Sequence, residues 1–314
     1  MYISMLLALF SLLVTASYTW FSISVSPQVN DLNLHITGTT GMELATTPDA
    51  PEWTKALDYS DLISQETILR PVTWSEQEQL FLAAVYGFDG RLTDKWWPLS
   101  DEFNTNRSDH NAFYIKTTIY ARSEQNVSVS LSPAVEIQKG EMGSGTYLIG
   151  APVWNPEELA HTNGGHGAEN AMRIGLRVTQ LDLDHNPIEG SEVFYIYEPN
   201  AQDPETGEYE PTPSVNGTEL LVPEDRLILQ TNSTWTEAEP VQRQVVIRQL
   251  GDFTTPVDLF DLKAKEVMQI DIYIWLEGQD PQCTNLIDEA QILANIQFLA
   301  ESESHSGLVP IEEE

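Results

Sequence analysis

Basic side chains are the scarcest feature of this chain: 15 Lys and Arg stand against 48 Asp and Glu in 314 residues, a formal net charge of −33. A polyanion of this kind cannot displace counterions from another polyanion, so nucleic acids and anionic surfaces are excluded as partners. Cysteine is nearly absent as well. The single Cys283 rules out an intramolecular disulfide and leaves core burial to hold the fold together. An unpaired thiol in such a chain reads as a small buried hydrophobe. Catalytic signatures are missing too. There is no H-E-x-x-H motif and no G-x-S-x-G elbow, and the run Gly140 to Gly145 lacks the Lys-Ser/Thr that completes a phosphate loop. The chain therefore reads as non-catalytic. Strands do not alternate regularly with long helices, which argues against a doubly wound α/β fold.

What is there begins with an apolar start. No charged side chain precedes Asp31, Ile3 to Val14 is almost continuously apolar, and Val14-Thr15-Ala16 places small residues at cleavage distance. With Tyr18 to Phe21 included, the uncharged run approaches the ~20 residues that span a bilayer. Residues 1–24 are thus expected to form an N-terminal hydrophobic helix, either a cleaved export signal or a retained membrane anchor, and to make the chain's only membrane contact. Residues 25–300 are expected to form one β domain. The tail 301–314, poor in apolar residues and ending in three Glu, is expected to be disordered.

A period of two runs through the domain. In Lys265 to Glu277, Met268, Ile270, Ile272, Ile274 and Leu276 share one face, with Gln269, Asp271, Tyr273, Trp275 and Glu277 on the other, the pattern of a half-buried strand. The same alternation marks Leu32-Leu34-Ile36, Phe113 to Ile119, Val127 to Leu131, Ile174 to Val178, Val193 to Tyr197, Leu227-Leu229, Val245-Ile247 and Ile292 to Phe298. About nine strands between Gly, Pro, Asn and Asp clusters predict a mainly β fold, an antiparallel β-sandwich of jelly-roll kind. Two short helices are expected to interrupt it. One follows the capping-box spacing Ser75-Glu76-Gln77-Glu78 and the stripe Leu80-Phe81-Ala84-Val85, and would serve as a lid. The other starts at Asn155-Pro156-Glu157-Glu158-Leu159. Glu198 to Val215, rich in Pro and Glu, predicts a long surface excursion.

Three constellations can carry chemistry. Asp182, Asp184 and Asn186 place oxygen ligands at alternate positions, as a calcium loop begins, although Pro187 occupies the turn where such a loop needs Gly. Calcium is accordingly the one cofactor this reading allows, and the alternative is a plain hairpin connection. His161 and His166 lie five apart in a Gly-rich loop near Glu158 and Glu169, a spacing better suited to a flexible loop than to zinc. The tryptophans Trp53, Trp74, Trp96, Trp97, Trp154 and Trp235 offer either sugar-stacking platforms or ordinary packing. Adjacent residues on a strand face opposite ways, so at most one of Trp96 and Trp97 packs in the core. The four Asn-x-Ser/Thr tripeptides at Asn106, Asn126, Asn216 and Asn232 mark loops.

Both ends of the chain resemble a known group. Leu12 to Ser22, followed by Val29-Asn30-Asp31-Leu32-Asn33-Leu34, is similar to the signal and mature start of exported Firmicutes proteins with SipW-dependent signal peptides, the TasA/camelysin-like group. Ile274-Trp275-Leu276-Glu277-Gly278-Gln279-Asp280-Pro281-Gln282-Cys283-Thr284 resembles a W-L-E-G-x-D-x-x-C segment of related Clostridia proteins, and Tyr195-Ile196-Tyr197-Glu198-Pro199-Asn200 resembles part of the same pattern. The chain departs from the group in having no basic residue before its apolar run. The resemblance implies an exported bacterial β-sandwich with a structural role at the cell surface or in the extracellular matrix of a biofilm. The function expected is assembly by strand complementation, through self-association or with other surface proteins, with Ile23, Val25, Leu32 and Leu34 on the donated strand. The alternative is a calcium-dependent carbohydrate-binding surface module.

Overall fold

The computed structural model describes residues 29–39, 41–59, 68–76, 79–86, 92–101, 104, 111–138, 141–201, 228–231, 234–237, 245–283, 287 and 289–302. The expected N-terminal helix, Ile23 and Val25 lie outside them, as does most of the acidic tail. Within them the chain is mainly β. In order the strands are β1 (Val29–Gly38), β2 (Glu43–Ala45), β3 (Ala56–Tyr59), β4 (Ile68–Leu69), β5 (Thr73–Ser75), β6 (Leu80–Tyr86), β7 (Leu92–Leu99), β8 (Asn111–Ala112), β9 (Tyr114–Arg122), β10 (Val127–Leu131), β11 (Val135–Gln138) and β12 (Glu141–Ser144). They continue as β13 (Tyr147–Gly150), β14 (Pro152–Asn155), β15 (Ala160–Asn163), β16 (Met172–Gln180), β17 (Val193–Tyr197), β18 (Ile228–Thr231), β19 (Thr234–Glu237), β20 (Val246–Leu250), β21 (Val257–Leu262), β22 (Val267–Leu276) and β23 (Ala290–Ser302). One 3-10 helical turn, Ala168–Ala171, precedes β16.

Two sheets share the main core. The first runs β21-β10-β23-β1-β4-β8, with β13 also on β23 and β3 also on β1; the second runs β2-β9-β22-β16-β17-β20. Leu32, Leu34, Ile36, Val129, Ile292 and Ile296 from the first meet Ile119, Ile174, Leu176, Ile270, Ile272 and Ile274 from the second. These are the alternating apolar positions of the sequence, each turned inward because the other face of its strand carries polar groups. Tyr195 crosses this core and satisfies its hydroxyl by donating to the Leu259 carbonyl.

The pairing is mixed rather than purely antiparallel. The first and last strands, β1 and β23, run parallel from Val29↔Ala290 to Gly38↔Phe298, and β17 and β20 are also parallel. Parallel neighbours need a long connection, and the whole domain supplies one between β1 and β23.

The expected helix after Ser75 is a strand. The Gln79 N–H does close one helical-type turn onto the Ser75 carbonyl at 2.8 Å, but Gln79 then takes φ 56 and the chain leaves as β6. β6 pairs with β5 and β7 to form a three-stranded lid sheet. The expected helix at Asn155 is likewise the turn of the β14–β15 hairpin. Asn155 Oδ1 accepts the N–H groups of Glu157 and Glu158, as an N-cap would, but Leu159 at φ 52 turns the chain back.

This lid changes the reading of β22, which is buried on both faces. Its second face meets the lid, where Trp74, Phe81, Ala83 and Leu99 pack on Tyr114, Phe194, Tyr273 and Trp275. Phe81 stacks on Tyr114 with centroids 4.2 Å apart, and Trp74 meets Phe194 edge-on at 4.7 Å. Such ring pairs add to the burial of large apolar surface. The last strand continues to Ser302, two residues beyond the expected end of the domain.

Candidate functional site

The expected assembly residues Leu32 and Leu34 sit on β1 in the middle of the first sheet. Leu32 lies opposite Ile292 and Leu34 opposite Ala294 on β23, while Leu34 and Ile36 lie opposite Tyr59 and Leu57 on β3. Both leucines are fully buried. The strand is held by ladders on both sides and contributes four side chains, Val29, Leu32, Leu34 and Ile36, to the core. It therefore fills a slot whose walls are β23 on one side and β3 with β4 on the other.

The edges of the two sheets differ. At one edge of the first sheet, β21 carries Asp258 and Asp261 and pairs with β10 through a register shift between Val129 and Ser130, two devices that discourage further pairing. At one edge of the second, β2 is only three residues long, and Thr54 bridges it at Leu44. The opposite edge strand, β20, exposes Val246 and Arg248. Its approach is fixed by Gln79, whose amide donates to the Val245 carbonyl and whose oxygen accepts the Val245 N–H.

The calcium candidates lie on the connection between β16 and β17. Asp182 Oδ1 accepts the N–H groups of Asp184 and Asn186 at 2.9 and 2.8 Å, and the bridge Leu181↔Pro187 closes the turn. Backbone hydrogen bonds from Asn186 hold the Asp182 carboxyl below the ordinary carboxylate range. His185 reaches across to Asp49, with Nδ1 3.0 Å from Oδ1. His161 packs edge-on against Trp154, and His166 belongs to the loop beyond β15 at φ 52. Among the described residues, no three His, Cys, Asp or Glu side chains converge as a metal ion would need.

The tryptophans divide sharply. Trp96 is buried and its neighbour Trp97 is half-buried against the lid cluster, so both rings are covered, where only one is expected to pack. Trp74 and Trp275 are core, and Trp53 is covered by the Arg122 guanidinium 4.4 Å from its ring. Trp154, 55% exposed on the β14–β15 hairpin, is the one described tryptophan open to solvent. The indole of Trp235 lies outside what the structure describes.

The most concentrated polar chemistry lies where β16, β17 and β22 end together. Arg173 on β16 is only 1% exposed; its Nη2 donates to Asp280 Oδ2 at 2.7 Å and pairs with Glu198 Oε2 at 2.9 Å. Beside it Glu277 is fully buried, with Oε2 accepting the Trp275 indole N–H at 3.0 Å and Oε1 the Gln279 N–H at 3.1 Å. Burial pushes the Glu277 carboxyl above its usual range, although Arg173 and these donors pull the other way. Burial also raises the nearby Cys283 thiol, with Glu277 and Asp280 adding to the shift, up to about 12. That thiol stays protonated at neutral pH, so it is a poor nucleophile. Glu198 thus belongs to the interior rather than to a surface excursion, and Asn200 follows it inward, donating to the Leu148 and Glu169 carbonyls.

No family model, curated protein or solved structure matches this chain. Its own geometry shows that the two phrases singled out above, Tyr195 to Asn200 and Trp275 to Cys283, meet at one place. Both supply carboxylates to the same arginine. The arginine itself carried no local signal, because its partner Asp280 is 107 residues away.

Proposed function

We propose that this chain is an exported bacterial surface or matrix subunit, an elaborated β-sandwich of jelly-roll kind that assembles by exchanging its first strand. The observation that carries the reading is the place of β1: the first described strand is also a central strand, bounded on both sides by ladders. Such a strand can leave its own slot and enter the same slot of a second copy, with main-chain hydrogen bonds and the alternating Leu32-Leu34-Ile36 face setting register. The role is structural, and the Arg173 cluster serves to tie the strand ends of the second sheet together. A calcium-dependent carbohydrate module ranks second. Its expected ligand Asp182 is engaged by its own turn, and of its expected platform Trp96 is buried.

The test is assembly of the full chain in the presence and absence of a peptide spanning residues 22–38. Fibres or large oligomers are expected in the chain alone, and excess peptide should occupy the slot and cap growth. A monomer under all conditions, or growth indifferent to the peptide, would overturn strand exchange.

A further inference from the structure

Lys116 lies at the rim of the aromatic cluster, where the lid meets the second sheet. From β9 its Nζ comes within 2.6 Å of Asp101 Oδ2, just beyond β7, and 3.4 Å of Asp271 Oδ2 on the neighbouring β22. The remaining oxygens are also held. The Tyr114 hydroxyl donates to Asp101 Oδ1 at 2.7 Å, while the Thr118 hydroxyl and Gln269 amide donate to Asp271 Oδ1 at 2.6 and 3.1 Å. The Tyr273 ring covers the amine, its centroid 5.4 Å from Nζ. Exposure falls from 45% at Asp101 through 23% at Lys116 to 8% at Asp271.

These are the parts of an acyl-transfer site directed at the protein's own side chains: an amine against a carboxyl, a hydroxyl donor on the carboxyl's far oxygen, and a second, buried carboxylate beside the amine. We propose that Lys116 and Asp101 condense to an intramolecular amide that fastens the lid covalently to the second sheet, with Asp271 relaying a proton. The inference is independent of strand exchange.

The contact rests as an ion pair. Burial raises the Asp101 carboxyl, but hydrogen bonds from Lys116 and Tyr114 outweigh it and hold the group below its ordinary range. Reaction starts when Nζ passes one proton to Asp101 Oδ2, converting the charged pair to neutral amine and acid. Burial lowers the Lys116 ammonium, but Tyr273, Asp101 and Asp271 outweigh it and hold the amine above its ordinary range, so the neutral pair is the minor form from which reaction proceeds. The nitrogen lone pair then attacks Asp101 Cγ, the C–N bond forms, and charge collects on Oδ1, which the Tyr114 hydroxyl stabilises. Asp271 accepts the second amine proton and delivers it to Oδ2, the Cγ–Oδ2 bond breaks, and water leaves. Ammonium plus carboxylate becomes amide plus water, with no oxidant or other reactant. Holding the two groups in contact replaces the concentration that a bimolecular condensation would need. In a chain whose single cysteine excludes an internal disulfide, this would be the covalent brace between layers.

The experiment is mass spectrometry of the full chain and its tryptic digest. With the bond formed, cleavage after Lys116 is blocked, and a branched peptide should join residues 96–107 to 108–122 at about 18 Da below the sum of the two, the mass of one water. Linear peptides 96–107 and 108–116 at unmodified mass would overturn the proposal. Lys116→Arg keeps a cation between the two carboxylates but removes the nucleophile, so it should lose the branched product. A water loss that persists in this variant would place the dehydration elsewhere and also overturn it. Asp271→Asn should slow the appearance of the branched peptide in freshly folded protein; an unchanged rate would remove the relay and leave the bond to the wild-type digest.

Discussion

Arg173 and Asp280 are 107 residues apart in the chain and 2.7 Å apart in the fold, both almost sealed from water. The same guanidinium also holds Glu198, so segments following two different strands close on one cation. A buried charge of this kind is tolerated because its partners are fixed, and removing one side leaves the other exposed to the full cost of desolvation.

Arg173→Met should therefore destabilise the protein by about 3–5 kcal/mol, the usual cost of breaking a buried pair from one side. Adding Glu198→Gln, Glu277→Gln and Asp280→Asn to the same chain should recover most of that loss, because the carboxyls that faced Arg173 are then neutral. Urea unfolding of the two variants checks this, and equal midpoints would show that the ion cluster is not the cause.

Glu277 should make stability depend on pH. Its folded pKa lies above the ordinary 4.5 because burial outweighs Arg173 and the donors from Trp275 and Gln279. The folded chain thus binds this proton more tightly than the unfolded chain does. The resulting stabilisation is complete below pH 4.5 and disappears as pH rises through the folded value. Glu277→Gln, which stands beside the same Arg173 and Cys283 without titrating, should flatten the curve of unfolding free energy against pH over that range. Parallel curves for the two proteins would mean that Glu277 is not the group responsible.

Gly175 should not tolerate a side chain. A Cβ there would stand 2.7 Å from two ring carbons of Phe194 and 3.1 Å from Cζ3 of Trp275, both packed under the lid. Gly175→Ala should cost about 1–3 kcal/mol, as overpacking of a filled core does. Thermal or urea denaturation reads this directly, and a stability unchanged from wild type would show that the rings shift freely.

Charge should govern association. With 33 excess negative charges per chain, neighbouring copies repel one another over a distance set by salt. Assembly is expected to be poor in salt-free buffer at neutral pH and to improve with added salt, divalent cations or acidification. Light scattering across these conditions measures it, and fastest growth in salt-free neutral buffer would contradict the expectation.

The sequence made the β class legible, and it made the inward faces of β1, β10, β16 and β23 legible residue by residue. Each alternates because one face meets the core shared by the two sheets. It misled at Leu80 to Val85, where apolar residues at helical spacing belong to a strand; a run of consecutive apolar residues carries no period by which to tell a buried strand from a helix. It misled again at β22, where Asp271, Tyr273, Trp275 and Glu277 look like a solvent face. Asp271 finds Thr118 and Gln269, Trp275 and Glu277 find one another, and Tyr273 packs among the lid rings, so the polar half of the alternation is buried as well.

Composition and local period, properties of one segment at a time, determined that the chain is acidic, disulfide-free and built of strands turned toward a common core. The lid over β22, the parallel closure of β1 on β23, the Arg173 cluster and the Lys116–Asp101 contact were decided by tertiary structure alone. Each joins groups from separate segments, and the energy of a buried charge or ring depends on what those other segments bring to it.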